Sequence, residues 1–267
     1  MIYAAFTFWL VLILFTGIGV YRLWTSLLKP LWVNWALLPG TVVSEMAYIF
    51  GCLITGGEIR RAKLIDTPRR ATSRRASAAG EDDAGTEATP KLKIIGPIIA
   101  ALVAIVGCGA GILVAHALLG EPVIQEFVTG GGLIPSAVQL PQKLPTGWDA
   151  LWQQIEQQIH LLRRMAETWG RMNWLNWRVG IFVYLAACLS IRLAPVRRPI
   201  RPTLAAVLAI AAVIAVIAAA SRSFKGLMKD LWPLLTYIWT SLLFLLVITL
   251  LIYGLVLLVR VLVDKSE

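Results

Sequence analysis

The chain has 267 residues, of which 58% are hydrophobic and only 15% are charged, and its mean hydropathy is +0.74. This composition excludes an ordinary soluble domain and predicts an all-α, multi-pass membrane protein in contact with the lipid bilayer. The formal net charge of +10 is divided between loops and lacks an aromatic-basic motif, so it favours anionic lipid headgroups over a nucleic-acid partner.

Apolar segments predict about six transmembrane helices. In chain order they cover residues 2–21, 31–55, 94–119, 179–194 and 203–220, with the last one lying within 231–263. The second segment is interrupted at Pro39-Gly40. We therefore divide the chain into two spans with a following hairpin-like segment, a linker, a third span, an outer loop and three C-terminal spans. The corresponding ranges are 1–66, 67–93, 94–119, 120–178 and 179–267.

Loop charges predict the orientation. Residues 56–93 contain nine Lys and Arg, and residues 192–202 contain four, whereas 120–178 has five balanced by five acids. The positive-inside rule places the first two loops in the cytoplasm, so six crossings would leave both termini cytoplasmic. The short loops are typical of a protein of the prokaryotic inner membrane, which is the plasma membrane of such a cell. The linker 67–93 is rich in small and charged residues and is predicted to be disordered.

The outer loop carries a predicted amphipathic helix that begins at Thr146, with Asp149 in the place of a capping-box Glu. Apolar side chains recur at helical spacing and charged ones, including Arg163 and Arg164, fill the other faces. We expect this helix to lie on the outer leaflet or over the mouth of the bundle, and a partner-binding role is the alternative. The recurring apolar residues are Trp148, Leu151, Trp152, Ile155, Ile159, Leu162 and Trp169.

The most informative motif surrounds Glu45, a carboxylate within the second apolar segment. An acid there costs at least ~2.5–3.5 kcal/mol on insertion scales, which points to a function. A helix with His-Glu-x-x-His binds zinc through two imidazoles one turn apart and uses the Glu as a general base. Here Glu45 is present, but Ser44 and Tyr48 occupy the two histidine positions.

Residues 37–48 and their continuation to Ile59 resemble the metal-binding helix of the site-2-protease-like intramembrane zinc metalloproteases. The lead-in Pro39-Gly40, followed by Thr41, belongs to this resemblance. It implies that Glu45 is a relic of the catalytic base and that a hairpin-like strand follows the helix. It also implies that the degenerate cleft, with Ser44, Tyr48, Pro39 and Gly40, serves for binding.

The zinc site of that family has no complete counterpart in this chain. Hydroxyl groups titrate too high to serve as zinc ligands at neutral pH, so Ser44 and Tyr48 do not replace imidazoles. The resemblance implies a third, carboxylate ligand from a later span, but the later acids Asp230 and Asp264 flank apolar segments instead. We therefore predict no metal and no cofactor.

Other residues offer a poor substitute for the lost ligands. His116 is predicted ~33 Å from the cytoplasmic end of its span and Glu45 ~15 Å, so their depths differ. A thiol site from Cys52, Cys108 and Cys188 is a weaker alternative. The sequence thus predicts a catalytically inactive, metalloprotease-like protein that binds or scaffolds another membrane protein. The alternatives are an active metalloprotease with non-standard ligands and a small transporter or proton-conducting protein.

Overall fold

The computed structural model describes residues 2–61, 87–89, 95–129, 140–141, 147–193, 200–220 and 224–264. Within these ranges the chain is helical except for two short strands and connecting turns, as the composition predicted for an α-helical membrane protein. The helices are α1 (Ile2–Leu27), α2 (Pro30–Ala36), α3 (Leu38–Ile54), α4 (Ile95–Ala115), α5 (Glu121–Thr129), α6 (Trp148–Arg171), α7 (Trp177–Leu193), α8 (Ile200–Ala220) and α9 (Phe224–Asp264). A π-helical turn, His116–Gly120, joins α4 to α5.

In the described part of the chain, three helical stretches are long and apolar enough to cross a membrane. They are Ala4–Leu27, Ile95–Val128 and Asp230–Leu258. The pair α2 and α3 would be a fourth if it formed one broken span, but the two helices are bent by 81°. At 17 residues, or ~25 Å, α7 is shorter than the ~30 Å hydrocarbon core. The structure therefore supports membrane insertion without establishing six spans.

The break between α2 and α3 lies at Leu37, two residues before the predicted site at Pro39-Gly40. Pro39 instead stands in the first turn of α3, where its missing N–H leaves no helical hydrogen bond unmade. Leu37 itself is buried and forms the boundary of both helices. A proline in this position marks the start of a helix. The bend lies just before that start, so Pro39 predicted its place only approximately.

Contacts between α1 and α9 show that these two helices run in the same direction. Trp9 contacts Trp239 with ring centroids 5.3 Å apart, and the Trp24 indole N–H donates to the Thr249 hydroxyl over 3.0 Å. Because both contacts advance together along the two sequences, the beginnings of α1 and α9 lie at one end of the bundle. We call it the Leu140 end, since the Leu140 carbonyl there accepts a hydrogen bond from Trp232.

The helices α3 and α4 are antiparallel, and so are α4 and α7. Gly51 packs against Ala100, and Gly107 packs against Ala47. Further along, Gly111 of α4 faces Leu189 of α7. Gly120 of the π-helical turn faces Phe182 of α7. Thus α3 and α7 share one direction. Helix α1 runs in this direction too, because it contacts α7 first at Gly17–Ser190 and then, further along both helices, at Tyr21–Arg192.

The two strands form a small antiparallel ladder after α3. Strand β1 (Glu58–Arg61) pairs with β2 (Glu87–Thr89). Gly56 precedes β1 with a φ of 69°, a left-handed conformation that glycine adopts without steric cost. Strand β1 therefore follows the motif helix α3 closely in sequence, and β2 lies within the linker predicted to be disordered. The rest of that prediction falls on residues outside the described ranges.

Helix α6 packs against the bundle through Leu161, Arg164, Met165 and Thr168, which are buried. Trp148, Trp152 and Ile159 of the predicted apolar row are exposed, the side on which lipid contact was expected. The predicted cap is wrong, because Gly147 is the N-cap and makes no side-chain capping bond. Arg164 was predicted only to fill one of the remaining faces, and tertiary packing buries it.

Candidate functional site

The motif helix α3 is held tightly against α7 at Gly40. A methyl group at this position would lie 2.7 Å from the Cys188 carbonyl carbon, too close for any larger residue without a shift of the backbone. Gly40 is thus required for helix packing. Pro39 starts α3 and Gly40 allows its close approach to α7, so both residues have a structural explanation.

The carbonyl group exposed by the break before α3 is satisfied by two side chains of α7. The Tyr184 hydroxyl donates to the Ala36 carbonyl oxygen over 2.7 Å, and the Cys188 thiol donates to the same oxygen over 3.5 Å. A helix end leaves carbonyls without intrahelical partners, and in an apolar setting each one needs a donor. The contact to α7 therefore stabilises the bend itself.

A buried polar cluster lies beside the bend, formed by Tyr21, Asn34 and Arg192. The Arg192 guanidinium donates to the Asn34 amide oxygen over 2.8 Å, and the Tyr21 hydroxyl donates to the same oxygen over 3.2 Å. The guanidinium carbon also lies 4.9 Å from the centre of the Tyr21 ring. Arg192 is only 7% exposed, so this cluster holds a cation inside the bundle.

Arg192 was predicted to lie at the end of the fourth apolar segment, 179–194, and was also counted in the basic loop 192–202. It lies in the last turn of α7 and is buried, so it belongs to the helix and not to the loop. A positive side chain in the last turn of a helix interacts favourably with the helix dipole. Its partner Asn34 is 158 residues away in sequence, a separation that no local pattern reveals. A lone Asn in an apolar segment was the available signal.

The motif residues Ser44 and Tyr48 both lie on the packed side of α3. The Ser44 side chain faces the Cys108 thiol of α4. Tyr48 is buried in a small cluster with Cys52 and Ala100. Glu45, between them, is half-buried. The two positions that would carry zinc-binding imidazoles are therefore occupied by side chains that join α3 to α4.

The structure does not bring the proposed imidazole ligand to Glu45. Because Val43 packs against Gly111 and Ala47 packs against Gly107, Glu45 is level with Gly109. His116 is seven residues further along, or ~10 Å, so the two depths differ, although by less than the ~18 Å predicted. Within the ranges given above, no three His, Cys, Asp or Glu side chains form a metal-binding group.

The outer face of α3 is apolar and open. Four large side chains of this helix are exposed: Met46, Phe50, Leu53 and Ile54. They alternate with the packed residues at helical spacing, so α3 has one face inside the bundle and one directed away from it. Comparisons of the chain with protein-family models, curated proteins and solved structures give no match. The function of the chain is therefore inferred from the geometry of α3 and its neighbouring helices.

Proposed function

We propose that this chain is a non-catalytic membrane protein that binds another membrane protein through the exposed face of α3. The observation that carries the proposal is the division of α3 into two faces. Ser44 and Tyr48 are used for packing against α4, while Met46 and Phe50 of the same helix are exposed. An apolar face beside a half-buried carboxylate offers both contact area and a polar group for specificity.

In this proposal the chain resembles the intramembrane metalloproteases but lacks their catalytic activity. A purified sample should contain zinc only at background level, because the ligand positions hold a serine and a tyrosine. One zinc per chain, together with cleavage that is lost in Glu45→Gln, would instead establish the active-protease alternative. Metal analysis of the purified chain distinguishes the two.

Photo-crosslinking from α3 tests the binding function. A photoreactive amino acid at Phe50, which is 60% exposed, is compared with one at Leu251 of α9, which is 69% exposed. We expect position 50 to give a reproducible adduct of one size with a membrane protein and position 251 to give none. Identical patterns at both positions would contradict the proposal, because exposure to lipid alone would then explain them.

The helix directions support a topology with five crossings and one re-entrant hairpin. Since α1 and α3 run in the same direction, the chain has to turn back between them, and only the seven residues of α2 are available. Seven residues span ~10 Å, far less than a membrane crossing. We therefore propose that α2 and α3 re-enter the membrane from one side, while α1, α4, α7, α8 and α9 cross it.

This topology keeps every predicted loop location and changes one terminus. The ends of α3 and α7, after which the basic segments 56–93 and 192–202 follow in the sequence, lie opposite the Leu140 end, and the positive-inside rule makes this opposite end cytoplasmic. The end of α9 is then cytoplasmic and the beginning of α1 is outside. The alternative with both termini in the cytoplasm fits less well, because α1 and α9 are parallel.

A transport function is the second candidate, and the buried cation at the bend favours it. Discontinuous helices that meet an intramembrane charge are typical of transporter binding sites. The cluster of Tyr21, Asn34 and Arg192 beside the α2–α3 bend has these features. Flux of protons or small anions into liposomes containing the purified protein, lost in Arg192→Gln, would support transport. Flux equal to that of empty liposomes would exclude it.

A further inference from the structure

A second buried arginine, Arg164 of α6, lies in the Leu140 half of the molecule and belongs to none of the features above. Its side chain is only 2% exposed, and its Nε donates to the Phe127 carbonyl oxygen over 3.1 Å. The two terminal nitrogens, Nη1 and Nη2, make no hydrogen bond to any residue that the structure describes. A buried guanidinium is costly unless an anion or several acceptors face it.

Two buried hydroxyls of α9 lie at the same level as Arg164. Contacts between Gln158 and Trp239 and between Trp169 and Phe244 fix how α6 crosses α9. Arg164 lies between the two α6 positions, and Ser241 lies between the two α9 positions. Tyr237, one turn before Ser241, contacts the ring of Phe127, whose carbonyl binds Arg164.

These hydroxyls are donors without acceptors. The side chains of Tyr237 and Ser241 face each other, yet neither makes a hydrogen bond of standard geometry to a described residue. No ion pair is found for Arg164 in the described ranges; the neighbouring pair Arg163–Glu167 is on the exposed surface of α6. Four donor positions on two helices thus lie at one level of the bundle, and none has an acceptor among the described residues.

We propose that this site binds a phosphate group through Arg164, Tyr237 and Ser241. The planar fork of a guanidinium donates two parallel hydrogen bonds to a phosphate, and a tetrahedral phosphate keeps further oxygens for hydroxyl donors. A planar carboxylate would be saturated by the fork alone. The phosphate belongs to a lipid headgroup or to a free phosphate ion, and both sources share this recognition.

Native mass spectrometry of the purified full chain in phosphate-free detergent tests the site. The probes are dioleoylphosphatidylglycerol, dioleoylglycerol, which lacks the phosphate, and inorganic phosphate. We expect phosphatidylglycerol to bind at least about tenfold more tightly than dioleoylglycerol, and this preference to disappear in Arg164→Gln. Arg163→Gln is the control, since it removes the same charge from the adjacent position, where the side chain is 79% exposed. Binding of inorganic phosphate with the same dependence on Arg164 would assign the site to free phosphate.

Two outcomes would overturn the proposal. One is equal phosphatidylglycerol binding by Arg164→Gln and Arg163→Gln, and the other is the absence of binding of either phosphate probe to the unaltered protein. If Arg164→Gln does not fold, the variants Tyr237→Phe and Ser241→Ala test the phosphate site instead. Each removes one hydroxyl and should weaken phosphate binding about threefold or more. Unchanged affinity in both variants would also refute the site.

Discussion

Three single residues at the α2–α3 bend make the contacts that hold the candidate site together. Gly40, Asn34 and Arg192 come from three different helices and are all buried. Each was visible in the sequence as an oddity: a glycine after a proline, a lone amide in an apolar run and an arginine near a predicted loop. Their partners could not be predicted, because the contacts join segments more than 140 residues apart.

Gly40→Ala should destabilise the protein by about 1–3 kcal/mol, because the added methyl group would collide with the backbone of Cys188. Gly180→Ala on α7 is the matched control, since a methyl group there meets nothing within 4 Å. Unfolding in detergent, followed by circular dichroism, measures both variants. Equal stability of the two would show that α3 does not approach α7 as closely as described.

Arg192→Gln should cost about 1.5–3 kcal/mol of stability, the usual range for hydrogen bonds made by a charged group. The Asn34 oxygen would lose its charged donor and Tyr21 would lose the cation above its ring. The exposed Arg178, on the first turn of the same helix, supplies the control Arg178→Gln. A loss of stability that is the same in both variants would contradict a buried role for Arg192.

Among the elements, the long apolar helices followed directly from the sequence, and so did the presence of the amphipathic helix. The runs that became α1, α4 and α9 are continuous and need only length and hydropathy to be recognised. For α6, helical periodicity identified the apolar row that is exposed, but it did not show which other residues pack against the bundle. The reason is physical: at an apolar boundary both faces of an amphipathic helix meet an apolar neighbour, lipid on one side and protein on the other.

The orientation of α6 leads to a prediction for its two apolar rows. Leu161→Ala should cost about 2–5 kcal/mol, because this side chain is buried against the bundle and its removal leaves a cavity. Ile159→Ala, on the exposed row, should change the free energy of unfolding by less than ~1 kcal/mol in detergent. Thermal or denaturant unfolding of the two variants compares them. A larger effect at Ile159 would contradict the packing of α6 through the Leu161 face.

In the whole molecule, the directions of the helices were the feature least accessible to sequence analysis. Loop charges predicted which loops share a side, and the contacts of α3, α4 and α7 agree with that grouping. The location of the N-terminus depended on counting α2 and α3 as one crossing. A seven-residue helix bent by 81° from its neighbour is not visible in a hydropathy profile, since both parts fall within one apolar segment.

The proposed re-entrant position of α2 and α3 would account for the buried Arg192 cluster and the exposed face of α3, and thiol labelling from each side of the membrane tests it most directly. The native Cys52, Cys108 and Cys188 are all buried and free, so an introduced cysteine dominates the labelling of intact cells by an impermeant maleimide. We expect Ile2→Cys to be labelled without permeabilisation and Ser266→Cys to be labelled only after it. Asp149→Cys in the outer loop is the positive control. Labelling of both terminal positions only after permeabilisation would contradict the parallel arrangement of α1 and α9 and restore an even number of crossings.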